Sequence, residues 1–286
     1  MLPEGFTLHF DGFGTVELGP SFGAGGGARL HEAIDEEGRV WAVKVHHGSK
    51  SEERTWRARN EGSLLVEEDE GLLAPLACTV FEYMGAWYTS LLMHLFPREE
   101  LAHHLSLEDQ RVAEQRLQIS RKLVEGLVNL HNQGIVHGDL SSSNVLVDPD
   151  LPRVMIIDFE SAHIHHQGLP PEPWDREEYR APEVLHYGIK ALGFPSDVWA
   201  CGLILLQLFD HEAWKRVQAQ HGWLSIFRAR QDAGEDAGGP LVTALGPGVE
   251  PEIERIVMDM LCIDPNRRPS AEAILARLVK LTSECD

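Results

Sequence analysis

Over the first hundred residues short apolar runs alternate with turn residues: "WAVKV" follows "DEEG", and "LLAPLACTV" and "AWYTSLLMHLF" come after it. Runs of this kind, rich in β-branched and aromatic side chains and bounded by Gly, Pro and acids, suit a pleated, half-buried surface, so antiparallel strands are expected. One helix is expected to interrupt them at about residues 51 to 66, where "SEERTWRARNEGSLLV" opens on a serine able to cap the first turn.

After residue 106 the spacing becomes helical. Ser106 and Asp109 are read as an S-x-x-D capping box, and Val112, Ile119, Leu123, Leu127 and Leu130 recur three, four or seven apart until "NQG" supplies a glycine stop. "SDVWACGLILLQLF" is apolar almost all round after its serine cap, as expected of a helix buried at the centre of a domain. "PEIERIVMDMLC" and "SAEAILARLVKL" predict two later helices, and "QDAGEDAGGPLVTALGPGV" at 231 to 249 a flexible loop. No internal repeat is apparent. The fold class expected is α+β: a small antiparallel β lobe with one helix over residues 1–95, then a larger, mostly helical lobe over 96–286.

Charge narrows the list of partners. The 286 residues carry 25 basic against 45 acidic side chains, a net of −20, with no basic run long enough to track a phosphate backbone, so nucleic acid is not expected as a partner. The acidity is read as keeping the surface soluble. Cys78, Cys201, Cys262 and Cys285 are scattered with no C-x-x-C pair, which suits a reducing compartment. "MLPEGFTLHF" lacks a basic segment followed by an apolar core, and no uncharged run approaches the ~20 residues of a membrane span, so a soluble, cytoplasmic protein is expected.

The candidate chemistry is phosphoryl transfer, which asks a protein to hold phosphates, place a metal and orient a hydroxyl. "FGAGGGARLHEA" at 22 to 33 offers small residues that let a backbone approach phosphates; "WAVK" ends a strand on Lys44; Glu61 follows seventeen residues later on the predicted helix. "IVHGDLSSSNVLV" then brings Asp139 and Asn144, and "VMIIDFE" brings Asp158, hard oxygen donors of the sort Mg²⁺ prefers, between short apolar strands. In this order and spacing the chain resembles a eukaryotic-type protein kinase over about residues 16 to 282, with HGD and DFE where the family has HRD and DFG.

The resemblance implies a bilobal fold, the cofactors ATP and Mg²⁺, and roles for individual residues. Gly23, Gly25 and Leu30 match the Gly-rich loop, with Ala28 in its third glycine position, while "GFGTV" at 12 to 16 lies too far before Lys44 and is set aside as an imitation. Lys44 would hold the α- and β-phosphates and pair with Glu61; Asp139 would act on the substrate hydroxyl; Asn144 and Asp158 would hold metal; Ala42, Met93, Leu95 and Leu146 would complete the nucleotide site. "YRAPEVL", "SDVWACGLIL" with Asp197, and Arg268, expected to pair with Glu183, resemble the platform that protein kinases have and aminoglycoside-type kinases lack, so a protein substrate is expected, with a regulatory partner allowed for. Tyr179 resembles serine/threonine kinases, whereas Ser141 and Arg176 stand where that group keeps Lys and Thr. A pseudokinase and a small-molecule kinase remain as alternatives.

Three departures carry their own expectations. Gly138 removes the arginine that in the family pairs with a phosphorylated loop, and residues 158 to 183 hold no Thr, so activity independent of loop phosphorylation is expected. The Glu160 carboxylate either joins the metal site or, the reading preferred, points to solvent. His163, His165 and His166 are read as part of an exposed polar loop, and the pairs His46–His47 and His103–His104 likewise.

Overall fold

The computed structural model describes residues 2–24, 27–46, 60–62, 71–96, 99–148, 150, 153–165, 177–219, 232, 236 and 238–283. The chain divides into two compact units, of which the first takes in Met1–Glu68, Leu73–Pro97 and Asp158–Ala162. Its strands are β1 (Thr7–Phe10), β2 (Gly14–Ala24), β3 (Ala28–Asp35), β4 (Val40–His46), β5 (Ala77–Tyr83) and β6 (Ala86–His94), forming one antiparallel sheet in the order β1-β2-β3-β4-β6-β5. The sheet curls until the ring of Phe6, just before β1, packs at a tilt 5.8 Å from that of Phe81 of β5, enclosing a core of Leu8, Phe10, Val16, Leu18, Trp41, Val43, Val45 and Leu92. The β3–β4 turn is tied by Asp35, whose carboxylate accepts from the backbone N–H of Glu37 and Arg39 and from Trp41 Nε1.

Successive residues of β4 point to opposite sides of the sheet. Trp41, Val43 and Val45 enter that core, while Ala42 joins Leu91, Met93, Cys78 and Leu95 in a second cluster on the other face, the face of Lys44 and His46. Both faces of β4 are thus covered, and its sequence reads as a continuous apolar run with one lysine in it. The helix expected at 51–66 falls outside the described residues except for 60–62, which are helical.

The second unit comprises Asp69–Leu72, Arg98–Ile157 and His163–Asp286. Strand β7 (Glu99–Glu100) and helices α1 (Leu101–Ser106) and α2 (Gln110–Asn132) lead to β8 (Ile135–Val136), β9 (Val145–Asp148), β10 (Arg153–Ile156) and β11 (His163–Ile164), followed by α3 (Pro182–Tyr187), α4 (Phe194–Phe209), α5 (His211–Ala219), α6 (Pro251–Met260) and α7 (Ala271–Ser283). Every residue from Ser196 to Leu208 of α4 is buried, as its all-round apolar sequence demands, with α2, α5 and α6 packed against it. Residues 238–249 contain no helix or strand beyond a single bridge at Pro240.

Two caps differ from the expectation. Ser106 closes α1, its Oγ donating to His103 O, and Asp109 alone caps α2 by accepting from the Arg111 N–H; one positive-φ residue, Glu108, breaks the chain between the two helices. Likewise α4 starts at Phe194 and not after Ser196: Ser196 lies in the first turn and reaches back to accept from the Gly193 N–H at 3.1 Å. A short polar side chain serves equally as cap or as first-turn partner, so residue type alone misplaces the start by two or three positions.

Candidate active site

In the first unit a lysine sits among three carboxylates. Lys44 Nζ lies 2.8 Å from Glu61 Oε2, 2.7 Å from Asp158 Oδ1 and 2.8 Å from Glu160 Oε1. Burial alone would pull the ammonium down, but Asp158, Glu61 and Glu160 outweigh it and hold the Lys44 pKa well above its ordinary value, so the cation persists throughout the physiological range. The helical turn bearing Glu61 reaches this position through Gly62: a Cβ there would meet Cys78 Sγ at 2.5 Å and Cys78 Cβ at 2.8 Å, so only glycine lets the turn settle onto β5. Asp158 adopts a left-handed conformation (φ 68°), tolerated by Asp better than by most residues. Asn60 Nδ2 donates to the carbonyls of Glu160 and Ala162 at 3.2 and 2.7 Å, pinning the segment beside the turn that carries Glu61.

Two expectations are corrected here. Glu160 turns its carboxylate to Lys44 and not to solvent, because the ammonium is the nearest cation and Asn60 fixes the backbone behind it. His46 is buried, two residues beyond Lys44 on the same face of β4, with Glu61 and Glu160 on either side.

The residues the resemblance assigns to nucleotide binding fall into separate groups. Ala42, Met93 and Leu95 share the cluster on the Lys44 face of the sheet. Gly23 faces Leu30 across the β2–β3 pair, where a Cβ would come 3.2 Å from Leu30 Cδ1, so the glycine allows close strand packing at the hairpin end. Gly25 lies outside the described residues. Leu146 belongs to the second unit, on β9 opposite Glu100 and Met155. The imitation motif sits in the β1–β2 turn, with Gly12 at φ 77° and Gly14 at φ 126°.

In the second unit the loop from His137 to Asn144 is built on the buried Asp197 of α4. Its Oδ2 accepts from the His137 N–H at 2.8 Å, its Oδ1 from the Gly138 N–H at 3.0 Å, and His131 Nε2 lies 3.1 Å away. Burial would raise this carboxyl, but the His131 contact and these backbone donors win and lower it, so Asp197 stays ionised. His137 Nδ1 accepts from the Asp139 N–H, which leaves the ring proton on Nε2 to donate to Ile157 O at 3.0 Å. Asn144 Nδ2 donates to Asp139 O at 2.8 Å, closing the loop. Gly138 has φ 76°, so its glycine answers a backbone requirement as well as removing a side chain.

Arg268 forms a buried, forked pair with Glu183, at 2.7 and 2.8 Å, and donates also to the carbonyls of Cys262, Pro195 and Ile263. Tyr179 OH is buried between Ser142 Oγ at 2.9 Å and Gln207 Oε1 at 3.0 Å. The histidines depart from the exposed loop expected: His163 is buried on β11, the His165 ring stacks 4.4 Å from that of Phe194, and His104 is buried against Asp109 at 2.9 Å, while His103 stays half exposed beside Glu99; His47 and His166 lie outside the described residues. Asn60 and His131 are the site residues sequence reasoning missed. The carbonyls Asn60 holds are about a hundred positions away, and His131 looks like any polar residue at a helix end until α4 is packed beside it.

Each unit supplies a hard oxygen donor. Asp158 offers a carboxylate whose side chain is 31% exposed, and the Asn144 amide oxygen is an equally hard ligand. Among the described residues no helix is long and apolar enough to cross a membrane. The family model described as Protein kinase domain matches residues 16–278. The human Protein-tyrosine kinase 6 is 29% identical over 68% of this chain and 41% of its own length. The Membrane-associated tyrosine- and threonine-specific cdc2-inhibitory kinase of Drosophila melanogaster is 27% identical over 84% of the chain and 42% of its own length, and the human Ribosomal protein S6 kinase alpha-4 is 28% identical over 65% and 25%. The chain therefore spans less than half the length of these relatives. With an antiparallel sheet in one unit, helices in the other and a match over most of its length, the chain belongs to the protein kinase domain family and has the bilobal α+β kinase fold.

Proposed function

We propose that this chain is an ATP- and Mg²⁺-dependent protein kinase acting on serine or threonine hydroxyls, with residues 1–95 as the nucleotide-binding lobe and 96–286 as the catalytic and substrate lobe of one domain. The observation that carries the reading is Lys44 held by Glu61 and Asp158 together, since an ammonium fixed in this way is prepared for the phosphates of a nucleotide. Bound magnesium ATP would supply the transferable γ-phosphoryl group. Lys44 orients the α- and β-phosphates, Asn144 and Asp158 are the metal ligands, and Asp139 orients the acceptor hydroxyl and accepts its proton. Gly23, Gly25, Leu30, Ala42, Met93, Leu95 and Leu146 are assigned to the nucleotide. The forked Arg268–Glu183 pair supports a protein acceptor over a small metabolite, because it steadies the segment that resembles a peptide platform.

The relatives include kinases named for tyrosine as well as for serine and threonine, and phosphoamino-acid analysis of the product separates the two. The test of function is transfer of labelled γ-phosphate from ATP with Mg²⁺ into a protein mixture. Lys44→Ala is expected to lower it about 10²-fold, the scale of one electrostatic contact in an active site. Label entering metabolites and no protein would sink the protein-kinase reading. Phosphatase treatment is expected to leave transfer unchanged, given Gly138 and the absence of Thr from 158 to 183; a large drop would overturn the claim of independence from loop phosphorylation.

A second reading has its own support. The Glu160 carboxylate on Lys44 competes with phosphates for the same ammonium, as a pseudokinase could tolerate. Nucleotide-dependent thermal stabilisation without turnover would favour it.

A further inference from the structure

His46 stands apart from the proposed kinase chemistry. Its side chain is 9% exposed, and its Nε2 is buried without a hydrogen-bond partner, facing Glu61 Oε2 at 3.6 Å. On the other side its Nδ1 faces Glu160 Oε1 at 3.7 Å. Both separations are too long for hydrogen bonds and close to the roughly 3.3 Å between neighbouring ligand atoms around a tetrahedral zinc ion. One nitrogen of His46 and one oxygen from each glutamate all lie within 4.8 Å of one another, a spread that modest side-chain rotation closes.

Charge points the same way. Glu61, Asp158 and Glu160 bring three negative charges to Lys44, which supplies one positive charge, leaving −2 in a largely dehydrated place. If Lys44 keeps Asp158, the two glutamates left over match one divalent ion. Imidazole beside carboxylates suits zinc and its transition-metal neighbours, whereas Mg²⁺ prefers oxygen ligands alone.

We propose that His46, Glu61 and Glu160 form a binding site for a divalent transition-metal ion of the zinc class, with water completing its coordination. An ion there takes Glu61 away from Lys44 and leaves the ammonium bound to Asp158. On the proposed kinase function it is therefore inhibitory, because Lys44 loses the Glu61 contact that helps to fix its ammonium for the phosphates.

The test is titration of the purified chain with Zn²⁺ against a chromogenic zinc chelator, in parallel with phosphate transfer. One Zn²⁺ per chain is expected in the wild type, with affinity about tenfold or more weaker in His46→Gln and in Glu160→Gly, and undisturbed in His103→Ala, an exposed histidine–glutamate pair. Glu160→Gln, which keeps the side-chain volume, is the second variant should His46→Gln fail to fold; thermal melting without metal reports on that. Absence of Zn²⁺ binding, or binding undiminished in the Glu160 variants, overturns the site. Zn²⁺ bound through His46 and Glu160 by a chain that transfers no phosphate upholds the site while the kinase reading fails. Transfer inhibited by Zn²⁺ in wild type and resistant in His46→Gln upholds both.

Discussion

Asp139→Asn is expected to lower phosphate transfer to protein by about 10³-fold, within the range for removing a positioned general base, while leaving nucleotide-induced thermal stabilisation in place. The substitution changes one side-chain atom and keeps the backbone bonds of the loop. The loop is held through backbone groups: the His137 and Gly138 N–H to Asp197, the Asp139 N–H to His137 Nδ1, and the Asp139 carbonyl to Asn144 Nδ2. An amide in place of the Asp139 carboxylate keeps these backbone bonds and the shape of the side chain without its basicity. A transfer rate in Asp139→Asn within error of the wild type would remove Asp139 from the mechanism.

The largest effect on stability is expected at Arg268. Its side chain has no exposure, it grips Glu183 with two nitrogens, and it satisfies three backbone carbonyls besides. Arg268→Ala leaves a buried carboxylate without its cation, a change that costs about 3–5 kcal/mol when one partner of such a pair is lost. For a chain of this size that corresponds to a fall in Tm of roughly 10 °C. Arg268→Lys is expected to recover little, since a single ammonium cannot reproduce the fork or reach the same carbonyls. A melting temperature unmoved in Arg268→Ala would show that the pair contributes nothing to the helical unit.

Much of this could be read along the chain because it depends on local order. The alternation that makes β4, the buried run that makes α4 and the spacing of Lys44 and Glu61 are each visible within a few tens of residues. Asp197 and Arg268 were legible only by resemblance, since their partners lie 60 and 85 positions away. What could not be read was direction. Glu160 turns toward Lys44 because Asn60 holds the carbonyl behind it, and His46 is buried because it shares a strand face with Lys44. Neither fact has a signature in residue type. Gly138 carries a second meaning that residue type does not show: besides removing a side chain, it meets a backbone requirement at φ 76°.

The seat of Glu61 on β5 has one further consequence. The contact between Gly62 and Cys78 leaves no room for a single methyl group. An alanine at 62 would add nothing charged, yet it would have to lift the turn and carry a carboxylate away from its ammonium. Position 62 is thus an electrostatic control with no charge of its own: the chain sets the strength of its central ion pair by what it omits.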